Sequence, residues 1–582
     1  MKKKILTAAK ILVIVMTAIA VLTATTGCRL LNWLLNGFDP YQRSSVKFSE
    51  MDYTRPDAEK NLEKLHSVVS MIDGSDGKSH MFSDMKKGVY EAYDLIIEWQ
   101  SMETLAYVHF SIDTTSTEWA EEMRYFNENS SKISQAYEEI YVACARSEFK
   151  AGFEKELFME GFLDDYVDGG TLNDEIAALM QRESQLVTQF GAYDYMETEF
   201  EIDGVKGTIA DHAKNIVTEE DHDKVYTEFY KRVNSDTGPI LIELVKVRNE
   251  IAKAAGYGSY AEFAYEFILD RDYTPEQARN LVEQIKQKVT PLYKKAASEG
   301  LFDILYDVEA VPLSAGQVTD AVENALTGAR REFKDSFSYM DKYELCYLGY
   351  DSRQLSASYT TYIPKYNAPI TVILGSGNVS DVLTLAHEFG HFTEGFLNYG
   401  IINNIDMREI PSTTLEYLFL SRIDDSGLGA REIETLKKYK KASSLDLYIS
   451  QCLYYTFEDR LYSMAEKDLT LDNVNALARD VIKEFGLEDN FEYFDYSWSM
   501  IEHFYQQAFY VISYVTADFV SLQIASLEAG KKGDGFKMYL TLINWLDSKT
   551  FTEQLEFRSL ESPFSDGAAG LLVTNLQKVL GI

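Results

Sequence analysis

The sequence predicts a mainly α protein with a small β-sheet beside one helix of metal-binding character. Three observations carry that expectation. Glu, Lys, Ala and Leu recur at helical spacing over long stretches, and only 10 Pro and 33 Gly interrupt 582 residues. Strand-forming residues gather in one run between Ser356 and Leu374. The length exceeds the size at which a single core usually keeps growing, so two lobes are expected. Hydrophobic residues at 46% and charged residues at 25% are those of a globular chain and exclude global disorder. The 39 Tyr supply side chains that pack on one side and hydrogen-bond on the other. A formal charge of −36 repels nucleic acid and anionic lipid, which excludes a nucleic-acid partner. The same acidity keeps an exported protein soluble and favours neutral or cationic ligands.

Taken in order, the chain opens with Lys2, Lys3 and Lys4, passes through an apolar run from Ile11 to Leu22 and reaches Thr25-Thr26-Gly27-Cys28. This reads as a secretory signal over 1–27, with small residues ahead of a cysteine that is lipidated after cleavage. Left uncleaved, the apolar run would anchor the chain instead. Either way the bulk lies outside the cytoplasm, anchored to a bacterial cell membrane. Residues 28–52 read as a membrane-proximal tether, with Trp33 and its leucine neighbours suited to a bilayer interface. Apart from Cys28 only Cys144, Cys346 and Cys452 occur, too few for a disulfide framework, and all three are expected as buried free thiols.

A helical N-terminal domain is predicted over 53–204, entered at Arg55-Pro56-Asp57. Gly169-Gly170 breaks it, and Thr198 to Ile209 alternates as a hairpin turning at Asp203-Gly204. The second domain, 205–582, resumes as helix, turns at Ala255 to Tyr260, and reaches the strand-forming run. Within that run Ile370 to Leu374 is expected to offer a sheet edge to an extended ligand. Gly375-Ser376-Gly377 ends it, and a helix starts near Asp381.

That helix carries the chemistry. His387 and His391 stand four residues apart, about 40° around a helix, where both imidazoles reach one metal ion. Zinc suits the pair, and Glu388 is placed to take a proton from water rather than to bind metal. A hydrolytic zinc needs a third protein ligand and an open position. Glu409 and Glu416, seven residues apart, fall on nearly one helical face. Glu416 lies in the apolar run Leu415 to Leu420, where a carboxylate is costly unless bound, and is the better ligand. Glu409 suits a supporting role, accepting from a ligand histidine, though it and Asp406 remain rival ligands. Further on, His503, Tyr510 and Tyr514 lie within about 20° of one line at 100° per residue, a face of donors for a developing oxyanion. Tyr505 falls off that line.

His387-Glu-Phe-Gly-His391, Glu409-x-Pro-Ser-x-x-x-Glu416, the His503 to Tyr514 segment and Phe48-Ser-Glu-Met-Asp-Tyr-Thr-Arg-Pro56 together resemble the M3 family of zinc metallopeptidases, in its oligoendopeptidase F type, related to thimet oligopeptidase. The resemblance implies a two-lobed helical metallopeptidase with a central channel, one Zn2+ ion, and cleavage of internal bonds in short peptides. It makes His387, His391 and Glu416 the ligands and Glu388 the general base. His503, Tyr510 and Tyr514 become the groups that meet substrate and transition state. Gln354-Leu-Ser-Ala-Ser-Tyr359 departs from the Gly-rich form common in the family. Two alternatives share parts of this pattern: a zinc carboxypeptidase, and a non-catalytic peptide-binding lipoprotein, which would have no use for Glu388.

Overall fold

The computed structural model describes residues 43–582 apart from 159, 168–173, 356, 401, 403, 492 and 546–548. The signal segment, Cys28, most of the tether and Gly169-Gly170 therefore lie outside the described residues. The mainly α architecture with a small sheet is the one the sequence predicts.

Helix α1 (Ala58–Asp73) starts where predicted: the Asp57 carboxylate accepts from the Lys60 N–H at 3.1 Å, and Gly74 at φ 75° closes it. It packs with α2 (Phe82–Ile112) and α3 (Thr117–Arg146) around Leu65, Trp99, Met102, Phe126 and Ile133. Residues 43–52 run along the body, where Ser44 N–H bonds the Tyr366 carbonyl and Phe48 N–H that of Tyr343. The hairpin forms from β1 (Phe200–Ile202) and β2 (Val205–Gly207), with Asp203 and Gly204 at φ 51° and 81° in the turn. A separate small core of Phe200, Ile209, Val225, Phe229 and Val233 covers it.

Long helices α4 (Glu219–Ala254) and α5 (Pro275–Ser298) lead to the sheet of β3 (Cys346–Gly349), β4 (Tyr359–Ile363) and β5 (Ala368–Leu374). Its order is β3-β5-β4, with β3 parallel and β4 antiparallel to β5. The expectation of a free edge at Ile370 to Leu374 is corrected: β5 is the central strand, and all seven of its residues are buried. Its near-continuous apolar run is the mark of a strand covered on both faces and both sides. The outer strand toward α2 is β4, where Ser111 Oγ and Tyr359 OH lie 2.6 Å apart.

The chain leaves β5 through a tight turn held by Asp381, whose carboxylate accepts from the N–H groups of Ser376, Gly377 and Asn378 at 3.0, 2.8 and 3.2 Å. Helix α6 (Asp381–Asn398) then packs on the sheet, with Val382, Leu385, Ala386 and Phe389 all fully buried. Helix α7 (Ile410–Leu420) crosses it at Gly390. A Cβ there would stand 2.5 Å from the Pro411 carbonyl oxygen and 2.6 Å from Ser412 Cα, so only glycine permits this approach. Next come α8 (Ala430–Ser463), α9 (Glu502–Gln506) and α10 (Ile512–Gly530), with α10 packed against α7 and α8. Cys144, Cys346 and Cys452 are free, as expected, although Cys346 is only half-buried. Among the described residues no helix is long and apolar enough to cross a membrane.

Candidate metal centre

Helix α6 presents His387 and His391 on one side, with ring centroids 5.2 Å apart. The carboxylate facing them belongs to Glu409: its Oε2 lies 3.4 Å from His387 Nε2 and 3.6 Å from His391 Nε2. Zinc bound at about 2.0–2.1 Å in a tetrahedron requires ligand atoms about 3.3 Å apart, so these three atoms stand near the edge length that one ion would span. They are the cluster of metal-ligand type among the described residues. The donor set, two imidazoles and a carboxylate, fits zinc and leaves a fourth position open.

Glu416 occupies the other side of His387, its Oε1 2.8 Å from Nδ1. By accepting the Nδ1 proton it leaves Nε2 as the ring nitrogen that would bind a cation, turned toward Glu409 and His391. Its second oxygen takes a hydrogen bond from Lys440 Nζ at 2.9 Å, and Lys440 is buried. The structure thus exchanges the two acids: Glu409, expected behind a histidine, faces both rings, and Glu416, expected as ligand, stands behind one. The reason is local. Glu409 lies between the helical turn Ile405–Arg408 and the start of α7, where the chain comes nearest α6 across Gly390, while Glu416 lies further along α7. Asp406, the other rival, faces away and is buried against Arg271 (Nε to Oδ2, 3.1 Å), Tyr273 OH (3.0 Å) and Ser513 Oγ (2.6 Å).

Glu388 is 6% exposed, and its Oε2 accepts from Thr360 Oγ1 of β4 at 2.8 Å. Thr360 also meets Thr371 Oγ1 at 2.8 Å, so the sheet aims the carboxylate. Nothing in the sequence reading singled out Thr360 or Lys440.

His503, Tyr510 and Tyr514 come together as predicted, but not on one helix. Helix α9 ends at Gln506 and α10 begins at Ile512. Between them Phe509 takes φ 63°, a left-handed conformation that costs a bulky L residue on the order of 1–3 kcal/mol. This bend stacks Tyr510 on His503 with centroids 4.9 Å apart and brings Tyr514 OH within 3.3 Å of His503 Nε2. Tyr510 OH reaches Glu409 Oε1 at 3.5 Å, which joins the donor cluster to the three-residue centre. Tyr505 is turned away, its hydroxyl donating to the Ser499 carbonyl at 2.9 Å.

The electrostatics follow from burial and charge. Burial alone would push the His387 imidazole down, but the hydrogen bonds to Glu409 and Glu416 outweigh it and raise it well above the ordinary value. Burial opposes ionisation of Glu409 too, yet His387 and His391 hold its carboxyl well below the usual range. For Glu416 the opposing burial is overcome by the Lys440 charge and His387. Burial lowers His503, with the Glu409 charge acting the other way. Burial, reinforced by the Glu409 charge, raises Tyr510 and Tyr514. Glu409 is therefore an ionised carboxylate where a cation would sit, with protonated tyrosines beside it.

A helix bearing two histidines and a glutamate, a carboxylate from the turn before the crossing helix and a buried face of hydroxyl donors are the parts of a metallohydrolase centre, and the family match makes it a metallopeptidase. Two family models match the chain, the Peptidase M3 N-terminal domain over 48–164 and Peptidase family M3 over 330–549, which together span more than half of it. The chain belongs to peptidase family M3. No curated protein sequence matches it. Among solved structures, one assigned as an oligoendopeptidase F aligns at 21% identity, covering 92% of this chain and 99% of its own, with TM-score 0.73. PZ peptidase A with an inhibitor aligns at 22% identity over 92% and 99%, also with TM-score 0.73. A Bacillus anthracis protein assigned as an oligoendopeptidase F aligns at 19% identity over 92% and 98%, with TM-score 0.69. At these identities the likeness is one of fold.

Proposed function

We propose that the protein is a zinc-dependent oligoendopeptidase that hydrolyses internal bonds of short peptides. The observation that carries this reading is the spacing of Glu409 from His387 and His391, with Glu388 and the Tyr510 cluster beside the same centre. Its ligands are His387, His391 and Glu409. One zinc ion there would supply a Lewis acid that activates water and polarises the scissile carbonyl. Glu416, held by Lys440, keeps the His387 ring oriented for that role. An extended peptide pairs with the outer strand β4, whose Thr360 aims Glu388. Glu388 takes the proton of the attacking water and delivers it to the leaving amine. Tyr510 and His503 donate to the tetrahedral oxyanion, with Tyr514 bracing His503.

Replacing Glu388 by Gln is expected to lower turnover of a quenched fluorescent peptide by about 10²–10⁴-fold while zinc content stays at the parent level. Parent-like cleavage by Glu388→Gln sinks the base assignment. Product masses from one peptide separate internal cleavage from the end-trimming of a carboxypeptidase. Peptide held but never cut by the zinc-loaded protein would favour a binding lipoprotein.

The basic start, apolar run and Gly27-Cys28 of the N-terminus support a site outside the cytoplasm. The chain is held to the membrane through lipidated Cys28. A Cys28→Ala variant that stays membrane-bound and takes up as much labelled fatty acid as the parent would remove that anchor.

A further inference from the structure

Phe509 is an anomaly that the peptidase reading leaves unexplained. It is a large, fully buried residue in a left-handed conformation, at φ 63°, immediately before Tyr510. Such a conformation persists only where the surroundings over-determine it. Both of its backbone polar groups are held by ionisable side chains from distant parts of the chain. Its N–H donates to Glu458 Oε2 of α8 at 2.8 Å, and its carbonyl accepts from Arg271 Nη2 at 3.0 Å.

Arg271 has further partners. The same Nη2 donates to Ser513 Oγ at 2.9 Å, on the other side of the bend and next to Tyr514. Its Nε donates to Asp406 Oδ2, and Ser513 Oγ donates to Asp406 Oδ1 at 2.6 Å. Asp406 lies three residues before Glu409, in the turn that delivers that carboxylate to the two histidines. One guanidinium therefore touches the bend, the helix after it and the segment carrying the third carboxylate. The pair is almost wholly dry, with side-chain exposures of 0% for Arg271 and 1% for Asp406. Buried ion pairs return little net stability compared with packed apolar residues. A fork of fixed geometry that spans three segments does, however, set distances between them.

We propose that Arg271 and Asp406 are positioning residues for the oxyanion donors, clamping the Phe509 bend so that Tyr510 is held at a set distance from Glu409. Neither side chain touches substrate. Their effect runs through Tyr510, and the inference rests on the peptidase reading of the metal centre.

The test uses the full-length zinc-loaded protein and a quenched fluorescent peptide, with zinc affinity measured separately by chelator competition. The paired variant R271M/D406N removes the clamp without leaving one charge unpaired. It is expected to lower kcat about thirtyfold or more, with KM and zinc affinity within about threefold of the parent. Adding R271M/D406N to Y510F is expected to cost less than about threefold beyond Y510F alone, because both act through one group. A general loss of structure would not produce that non-additivity. Multiplying losses, zinc affinity falling in step with kcat, or an unchanged kcat in R271M/D406N would each overturn the inference. Should R271M/D406N fail to fold, S513A removes a hydroxyl shared by Arg271 and Asp406. It is expected to lower kcat about tenfold in the parent and not in Y510F; equal losses in both would overturn the inference. A parent that binds zinc yet cleaves no peptide sinks the peptidase reading and the inference together. A cleaving parent with normal R271M/D406N sinks the inference alone.

Discussion

Two buried ion pairs stand behind the site, and they end on different things. Lys440 meets Glu416, and the chain of contacts finishes on an imidazole nitrogen of His387. Arg271 meets Asp406, and the contacts finish on the backbone of a bend that carries Tyr510. Helix α8 serves both, with Lys440 toward one end and Glu458, the acceptor of the Phe509 N–H, toward the other. The difference teaches where each pair's energy is spent. The first fixes a ring that would hold metal, whereas the second fixes a hydroxyl that would meet the reacting carbonyl. Zinc affinity and turnover should then respond separately to the two.

The largest effect is expected at the carboxylates themselves. Glu409→Ala removes a ligand and is expected to weaken zinc about a thousandfold, whereas Glu416→Gln acts through His387 and should cost about 10–100-fold. Chelator competition on both variants decides the matter: a larger loss in Glu416→Gln would reverse their roles. Lys440→Met comes next, with zinc affinity lowered about tenfold through the loss of Glu416's anchor. Should Lys440→Met lower kcat at saturating zinc while affinity stays at the parent value, the contrast between the two pairs collapses.

The last test leaves the metal and reads stability instead, at a buried acid raised by burial alone. Glu138, on α3, is raised to about 9 by burial alone. The folded chain therefore keeps a proton that the unfolded chain releases above about pH 4.5, and stability falls as pH rises from about 4.5 to about 9, by at most about 1.4 kcal/mol per unit for this group. Glu409 and Glu416, shifted the opposite way by their partners, contribute stability above the ordinary carboxylate range that is lost on acidification. Melting temperatures between pH 5 and 9 should fall less steeply in Glu138→Gln than in the parent. An unchanged slope would show that Glu138 ionises freely in the fold.

The contrast also marks what the sequence makes legible. His387, Glu388 and His391 are readable because helical spacing alone brings them together, and α6 obeys it. The helix entry at Asp57 and the hairpin at Asp203-Gly204 are equally local and form where predicted. Glu409 and Glu416 are not separable by periodicity, because Glu409 precedes α7 and its direction comes from the helix crossing. Lys440 sits among Lys437, Lys438 and Lys441, a run that reads as a solvated face. The break at Phe509 has no Gly or Pro to announce it. It is imposed by Arg271 and Glu458, 238 and 51 residues away in the chain. The buried position of β5 is likewise a property of the assembled sheet, since a mostly apolar run does not say which neighbours will pair with it.

Gly390 carries a consequence of another kind. The missing methyl group lets the Pro411-Ser412 backbone lie directly on α6, so the bite of the three ligand atoms is set by how closely two helices can nest. In that sense the size of cation the centre accepts is written partly in a residue that supplies no ligand atom. A protein engineer wishing to seat a larger ion would widen the gap between the helices at position 390 and leave the histidines and glutamates as they are.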